Sequence, residues 1–309
     1  MLHWRFTLGA LLVAALVLFC WLDFQVARPG AFLLPLALML GWFSVVELLD
    51  IFDKRGRLPL PWAMFAGVLL TVLLAGMPVL WPGAVDTGVG RLGWLAIGLA
   101  AGLLIAIAGE LQRYDGRWQS TINQGLSMFA VLYLGGMMGF MLQLRLLGGQ
   151  PWGDDGRWGM LALLSLVVTV KMSDIGQYTV GRLIGRYKLA PLVSPGKTWE
   201  GAIGGLLFAV MGAWLVFEWV MPRFVGTAAR GAGAFSATER PVAVMVFALA
   251  VAIAGILGDL AESMLKRDAG VKDSSTWLPG FGGVLDMLDS LLAASPVAYV
   301  CWVLRLVGP

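Results

Sequence analysis

Between Gly258 and Ser290 the chain gathers the side chains best suited to chemistry, in the run GDLAESMLKRDAGVKDSSTWLPGFGGVLDMLDS. Asp259, Glu262, Ser263 and Lys266 stand at i, i+3, i+4 and i+7, so a helix puts them on one face. Lys266, Arg267 and Lys272 follow beside Asp268 and Asp273, then Pro279-Gly280-Phe281-Gly282-Gly283, and a second apolar run carries Asp286, Asp289 and Ser290 on one face. Two acidic faces flank a basic, glycine-containing loop. Facing carboxylates repel at low dielectric unless a cation lies between them, and an all-oxygen set favours Mg²⁺. Cations and exposed backbone N–H groups beside such an ion suit a polyphosphate. Taken singly, Glu262 or Asp289 reads as an ordinary cap or solvated charge. Several carboxylates just inside apolar helices read as functional, because each costs about 2.5 kcal/mol or more at membrane depth.

A second polar stretch precedes it. Lys171, Ser173, Asp174, Gln177 and Tyr178 end an apolar run, and Lys171 and Asp174 are spaced to pair with each other on a helix. The loop that follows contains Ser194-Pro195-Gly196-Lys197-Thr198-Trp199-Glu200-Gly201. Its PGKT is similar to the end of a Walker A motif. That motif needs a glycine five positions before Gly196, where this chain has Pro191, and it needs a preceding strand. Glycine, lysine and hydroxyls ahead of a helix still make a credible anion site, with a positive-inside anchor as the plainer alternative.

The elements that must position these residues are membrane spans. Of 309 residues 59% are apolar and 13% charged, and the mean hydropathy is +0.82, which excludes a soluble globular domain. The fold class expected is all-α, a polytopic membrane protein with spans near 6–22, 30–49, 60–81, 92–109, 122–144, 159–180, 201–222, 241–260 and 284–307. Residues 1–158 read as a scaffold or dimerisation region and 159–309 as the catalytic domain with two inner loops. With the N-terminus inside, the inner segments hold thirteen Lys and Arg and the outer ones eight, which places both basic loops in the cytoplasm. Glu47 and Glu110, at the inner ends of spans two and four, read as interfacial groups or as contributors to the site; Gly135, Gly136 and Gly139 read as packing positions.

Several chemistries are excluded. His3 is the only histidine, so a Ser-His-Asp triad or a His-ligated metal has no residues to use. Cys20 and Cys301 lie in apolar runs at opposite ends, in neither a zinc spacing nor a disulfide framework. A net charge of +3 with no basic run interleaved with aromatics gives no reason to expect nucleic acid.

The stretch from Ser263 to Asp289 resembles the signature of the CDP-diacylglycerol synthases (phosphatidate cytidylyltransferases), S-x-x-K-R, four residues, K-D, then P-x-H-G-G-x-x-D-R-x-D. Ser263, Lys266-Arg267, Lys272-Asp273, Pro279, Gly282-Gly283, Asp286 and Asp289 match without gaps, while Phe281 replaces the His and Met287 the Arg. Asp174, Tyr178, Gly181 and Arg182, and then Ser194 to Gly201, are similar to the same family's D-x-x-A-Y-x-x-G-R and S-P-K-K-T-x-E-G, with departures at Gln177 and Gly196. The likeness runs from about Asp174 to Ser290; the first five spans match only in hydropathy and order.

This resemblance implies transfer of the cytidylyl group of CTP to phosphatidate, giving CDP-diacylglycerol and pyrophosphate. It implies Mg²⁺, with a second cation left open, held by Asp259, Asp286 and Asp289. Lys197 would be catalytic, and Ser194, Thr198, Ser263, Lys266, Arg267, Lys272, Asp273, Gly282 and Gly283 would bind CTP or the lipid phosphate. A homodimer in a bacterial inner membrane is implied, with the site facing the cytoplasm. The residues alone leave two alternatives open: a catalytically altered family member, and a transporter whose polar helix faces line an ion path.

Overall fold

The computed structural model describes all residues except 1, 58, 117–118, 154, 227–238, 276 and 278–281. Pro279 and Phe281, both singled out by the sequence, fall outside the described residues. Among the described residues the regular elements are helices, apart from one short hairpin and an isolated bridge between Gly149 and Gly153. Its helices are α1 (Leu2–Gln25), α2 (Leu33–Asp53), α3 (Pro61–Ala75), α4 (Met77–Leu80), α5 (Gly90–Gln112), α6 (Gln119–Ala130) and α7 (Met137–Arg145). They are followed by α8 (Arg157–Ile184), strands β1 (Lys188–Ala190) and β2 (Ser194–Thr198), α9 (Trp199–Leu215), α10 (Met221–Val225), α11 (Arg240–Asp268) and α12 (Val284–Val303). Stretches of π-helix, Val131–Gly136 and Val216–Val220, join α6 to α7 and α9 to α10 into longer rods.

Among the described residues seven helices are long and apolar enough to cross a membrane: α2, α5, the α6–α7 rod, α8, the α9–α10 rod, α11 and α12. Two shorter apolar helices, Val13–Gln25 and Pro61–Ala75, overlap the first and third of the nine expected spans but fall short of spanning length, so seven spans rather than nine meet that length. The protein is an all-α integral membrane protein, and the order of its apolar helices follows the hydropathy.

Two compact units make up the chain. Met1–Leu146 and Asp268–Leu288 form the first; Leu147–Arg267 and Asp289–Pro309 form the second.

The first unit is built on α3, whose Met64, Val68 and Val72 are fully buried. It crosses α5 where Gly67 meets Gly102, an approach that only small residues permit. Thr71 donates its hydroxyl to the carbonyls of Gly67 and Gly98, satisfying in the interior a group that would otherwise be costly to bury. The α1–α2 turn is fixed by Asp23, which is fully buried and accepts the amides of Gly30, Phe32 and Leu33 and the Nε of Arg145 at 2.7 Å.

In the second unit α8 and α9 pack along a glycine seam. A Cβ added at Gly176 would come within 2.7 Å of the Gly204 carbonyl, and one at Gly205 within 2.6 Å of Gln177 Cγ. Trp152, Trp158, Phe217, Phe247 and Trp302 form an aromatic cluster, in which Trp302 donates Nε1–H to Ser165 Oγ at 3.0 Å. The loop between α8 and α9 is an antiparallel hairpin, with Lys188 opposite Thr198 and Ala190 opposite Ser194. Thr198 caps α9 by accepting the Gly201 amide at 3.1 Å, and Glu200 accepts the amides of Arg186 and Tyr187.

Candidate active site

In the second unit, five ionisable side chains from four elements meet among apolar helices. Asp289 of α12, only 6% exposed, lies within electrostatic reach of Asp259 on α11 and of Asp174 and Lys171 on α8. Asp174 is likewise within reach of Asp259 and of Lys197 on β2. Lys197 Nζ is 2.6 Å from Asp259 Oδ2, and Lys171 Nζ is 3.2 Å from Asp174 Oδ2. The pairing of Lys171 with Asp174 is the one their spacing allows. The Lys197–Asp259 pair joins residues that the sequence assigns to separate tasks.

The close approach of α11 to α12 sets this geometry. A Cβ added at Gly258 would come within 2.6 Å of the Asp289 carbonyl and 2.5 Å of the Ala293 Cβ. Ser263, one turn beyond Asp259, is 3.4 Å from its Oδ1. Glu262 is fully buried and paired with Lys266 at 2.5 Å on the same helix, so Lys266 balances its own helix's acid. Arg267 is exposed and donates to the Val193 carbonyl of the hairpin at 3.1 Å, tying the end of α11 to the loop that bears Lys197. Ser194 and Thr198 bracket Lys197 on β2, where the Thr198 side chain is engaged as the α9 cap.

In the first unit, Ser274 and Gly283 lie against two carboxylates. Asp286 Oδ2 accepts the Ser274 amide at 3.0 Å, the Ser274 hydroxyl at 2.8 Å and the Gly283 amide at 2.8 Å. The Gly283 N–H is therefore directed at Asp286. Gly282 is left-handed, with φ +84, a conformation that suits glycine. Lys272 and Asp273 are exposed just ahead of Ser274, and Asp268 pairs with Arg55 at 3.1 Å.

Glu47 is the residue whose part the sequence does not settle. It is fully buried on α2 and accepts the amides of Val284 and Leu285, each at 2.8 Å, and the Ser274 hydroxyl at 2.9 Å. Glu110 pairs with Arg113 at 2.6 Å on its own helix turn. The only signal for Glu47 was an acid inside an apolar helix, and its partners lie more than 200 residues away.

Asp174, Asp259 and Asp289 offer hard oxygen donors from three helices, which is the chemistry Mg²⁺ takes. Among the described residues no three His, Cys, Asp or Glu side chains stand close enough to hold a metal by themselves.

A family model described as the cytidylyltransferase family matches residues 6–304. The chain belongs to this family. A phosphatidate cytidylyltransferase of Brucella suis is 32% identical over 96% of this chain and 83% of its own length. One from Haemophilus influenzae is 42% identical over 50% of this chain, and the match spans 49% of that relative. A third, from Pseudomonas aeruginosa, is 42% identical over 45% of the chain and 47% of its own length. The family match runs through the early helices, whereas the sequence motifs begin only near Asp174.

Proposed function

We propose that this chain is a phosphatidate cytidylyltransferase, joining CTP to phosphatidate to give CDP-diacylglycerol and pyrophosphate. The observation that carries the reading is the cluster of Lys171, Asp174, Lys197, Asp259 and Asp289 within an apolar unit. Ionisable groups of this number among apolar helices, Asp289 buried and the other four half-buried, are expensive, and membrane proteins keep them where substrates or ions are handled.

A phosphate oxygen of phosphatidate attacks the α-phosphorus of CTP; the new P–O bond forms as the bond to the β-phosphate breaks, and pyrophosphate leaves with that electron pair. The attacking phosphate is already an anion, so no histidine base is required. Bringing anion to anion is the difficulty, and the chain's contribution is positioning and charge. Asp259 and Asp289 are the side chains assigned to Mg²⁺, and Asp286 as a third ligand belongs to the same proposal. Bound there, Mg²⁺ supplies charge neutralisation on the phosphate oxygens. Lys197 holds phosphate oxygens when they draw its ammonium from Asp259, and Lys266, Arg267 and Lys272 add positive charge on the α11 end and its loop. The apolar helices keep the acyl chains in the bilayer while the head group meets CTP from the cytoplasmic face of an inner membrane. A homodimer is part of this reading.

The test is conversion of radiolabelled CTP into an organic-soluble nucleotide lipid by the purified protein, with phosphatidate in mixed micelles and Mg²⁺ titrated after chelation. Stoichiometric pyrophosphate release, dependent on both phosphatidate and Mg²⁺, is expected. No label in the lipid phase at any Mg²⁺ concentration would overturn the assignment.

A further inference from the structure

We infer that Glu47 is a positioning residue for the reaction, holding the first turn of α12, and with it Asp286, in register; the inference rests on the function proposed above. A helix leaves its first amides without intrahelical acceptors, and a residue just ahead of it usually supplies one. At α12 a carboxylate from a distant helix does so. Glu47 Oε1 takes the Val284 amide and Oε2 takes the Leu285 amide, so both oxygens are aimed at the N-terminal end, where negative charge is favoured.

Oε2 also lies 2.9 Å from the Ser274 hydroxyl, whose single proton is shared between it and Asp286 Oδ2 at 2.8 Å. One serine thus stands between the anchoring acid and the acid of the signature. Gly283 is buried against both: a side chain there would run into the Ser274 hydroxyl and the Glu47 carboxylate, so the glycine is needed for close approach. One turn earlier on α2, Phe43 packs edge-on against Trp277, with ring centroids 5.4 Å apart. Residues 43 and 47 share a face of α2 and grip the loop at two points.

Substitution separates positioning from bulk stability. Glu47→Gln keeps size and shape but has one acceptor oxygen, so either Val284 or Leu285 loses its acceptor and faces an NH₂ group. Glu47→Asp keeps the charge and withdraws it by about 1.5 Å, one bond length. With the full-length protein in micelles, Glu47→Gln is expected to lower kcat roughly 10- to 100-fold, the usual cost of an ångström-scale misplacement. KM for phosphatidate should stay near wild type, the apparent Mg²⁺ requirement should rise, and Glu47→Asp should recover part of kcat. Amide exchange over residues 282–286 should speed up in Glu47→Gln while exchange over α8 and α9 does not change. Ser274→Ala should act in the same direction, and the double variant should be less than additive, since both act through one turn.

Glu47→Gln with wild-type kcat, or with a lowered kcat but unchanged exchange over 282–286, overturns the inference. So does a uniform rise in exchange across all helices, which would mark general destabilisation. If Glu47→Gln does not fold, Ser274→Ala decides: unchanged kcat and exchange overturn the inference, and the local pattern sustains it. Wild-type protein unable to convert CTP and phosphatidate would sink the proposed function, and exchange on the same samples would report separately on the hold of Glu47 over α12.

Discussion

Gly258→Ala tests whether the spacing of α11 and α12 sets the candidate site. The added carbon would stand 2.5 Å from the Ala293 Cβ and 2.6 Å from the Asp289 carbonyl oxygen. Non-bonded carbons rest about 3.5–4.0 Å apart, so the helices must separate by roughly 1 Å at this level. Gly258 directly precedes Asp259, and the displaced carbonyl belongs to Asp289, so the two acids move apart together. Overpacking of this kind costs about 1–3 kcal/mol, which a helical bundle of this size should survive. A shift of about 1 Å in a reacting constellation costs about 100-fold in rate. The expected variant is therefore folded, with a slightly lowered Tm and kcat for CTP incorporation near one hundredth of wild type. Ala293→Gly in the same chain removes one of the two clashes and should restore about tenfold, a coupling of about 1.4 kcal/mol. Gly258→Ala with kcat within about twofold of wild type, measured under saturating substrates, would refute the reasoning, because the acids would then tolerate a displacement the mechanism forbids.

Asp259→Asn and Asp289→Asn should each lower kcat by about 10³-fold, since losing several kcal/mol of charge stabilisation is lost rate, and label incorporation measures it. Lys197→Ala should raise KM for CTP as well as lower kcat, while Lys197→Arg, which keeps the charge but not the shape, should fall between, as steady-state kinetics will show. Asp23→Asn removes the carboxylate paired with the buried Arg145 at 2.7 Å and should cost about 3–5 kcal/mol, read as a lowered Tm, with kcat per folded molecule unchanged.

Hydropathy alone places the seven long helices, because an apolar run cannot lie elsewhere than in lipid or a core; it overstates the first and third spans, where the apolar helices are shorter. The acids at helical spacing, Asp259 and Asp289, are legible for the same reason: a charge inside such a run needs a purpose. Lys171 and Asp174 could be paired by counting. What could not be read is pairing across the chain. Asp23 and Arg145 lie in one unit 122 residues apart, and Glu47 answers an amide at residue 284; neither separation leaves a periodicity to detect. The hairpin at 188–198 reads as loop because its strands are short and carry Pro195 and Gly196, residues that weaken a strand. The sequence assigns Lys197 to an incoming anion, and the fold gives it a resident one, Asp259.

The Lys197–Asp259 and Lys171–Asp174 pairs bear on how such a protein keeps charged side chains among apolar helices at all. Two ammoniums are folded in with three carboxylates, so most of the charge is cancelled by internal salt before a nucleotide or an ion arrives. Once the helices are packed, these side chains stand among them as a nearly neutral set. In the resting protein no ammonium of the cluster stands as naked charge against lipid.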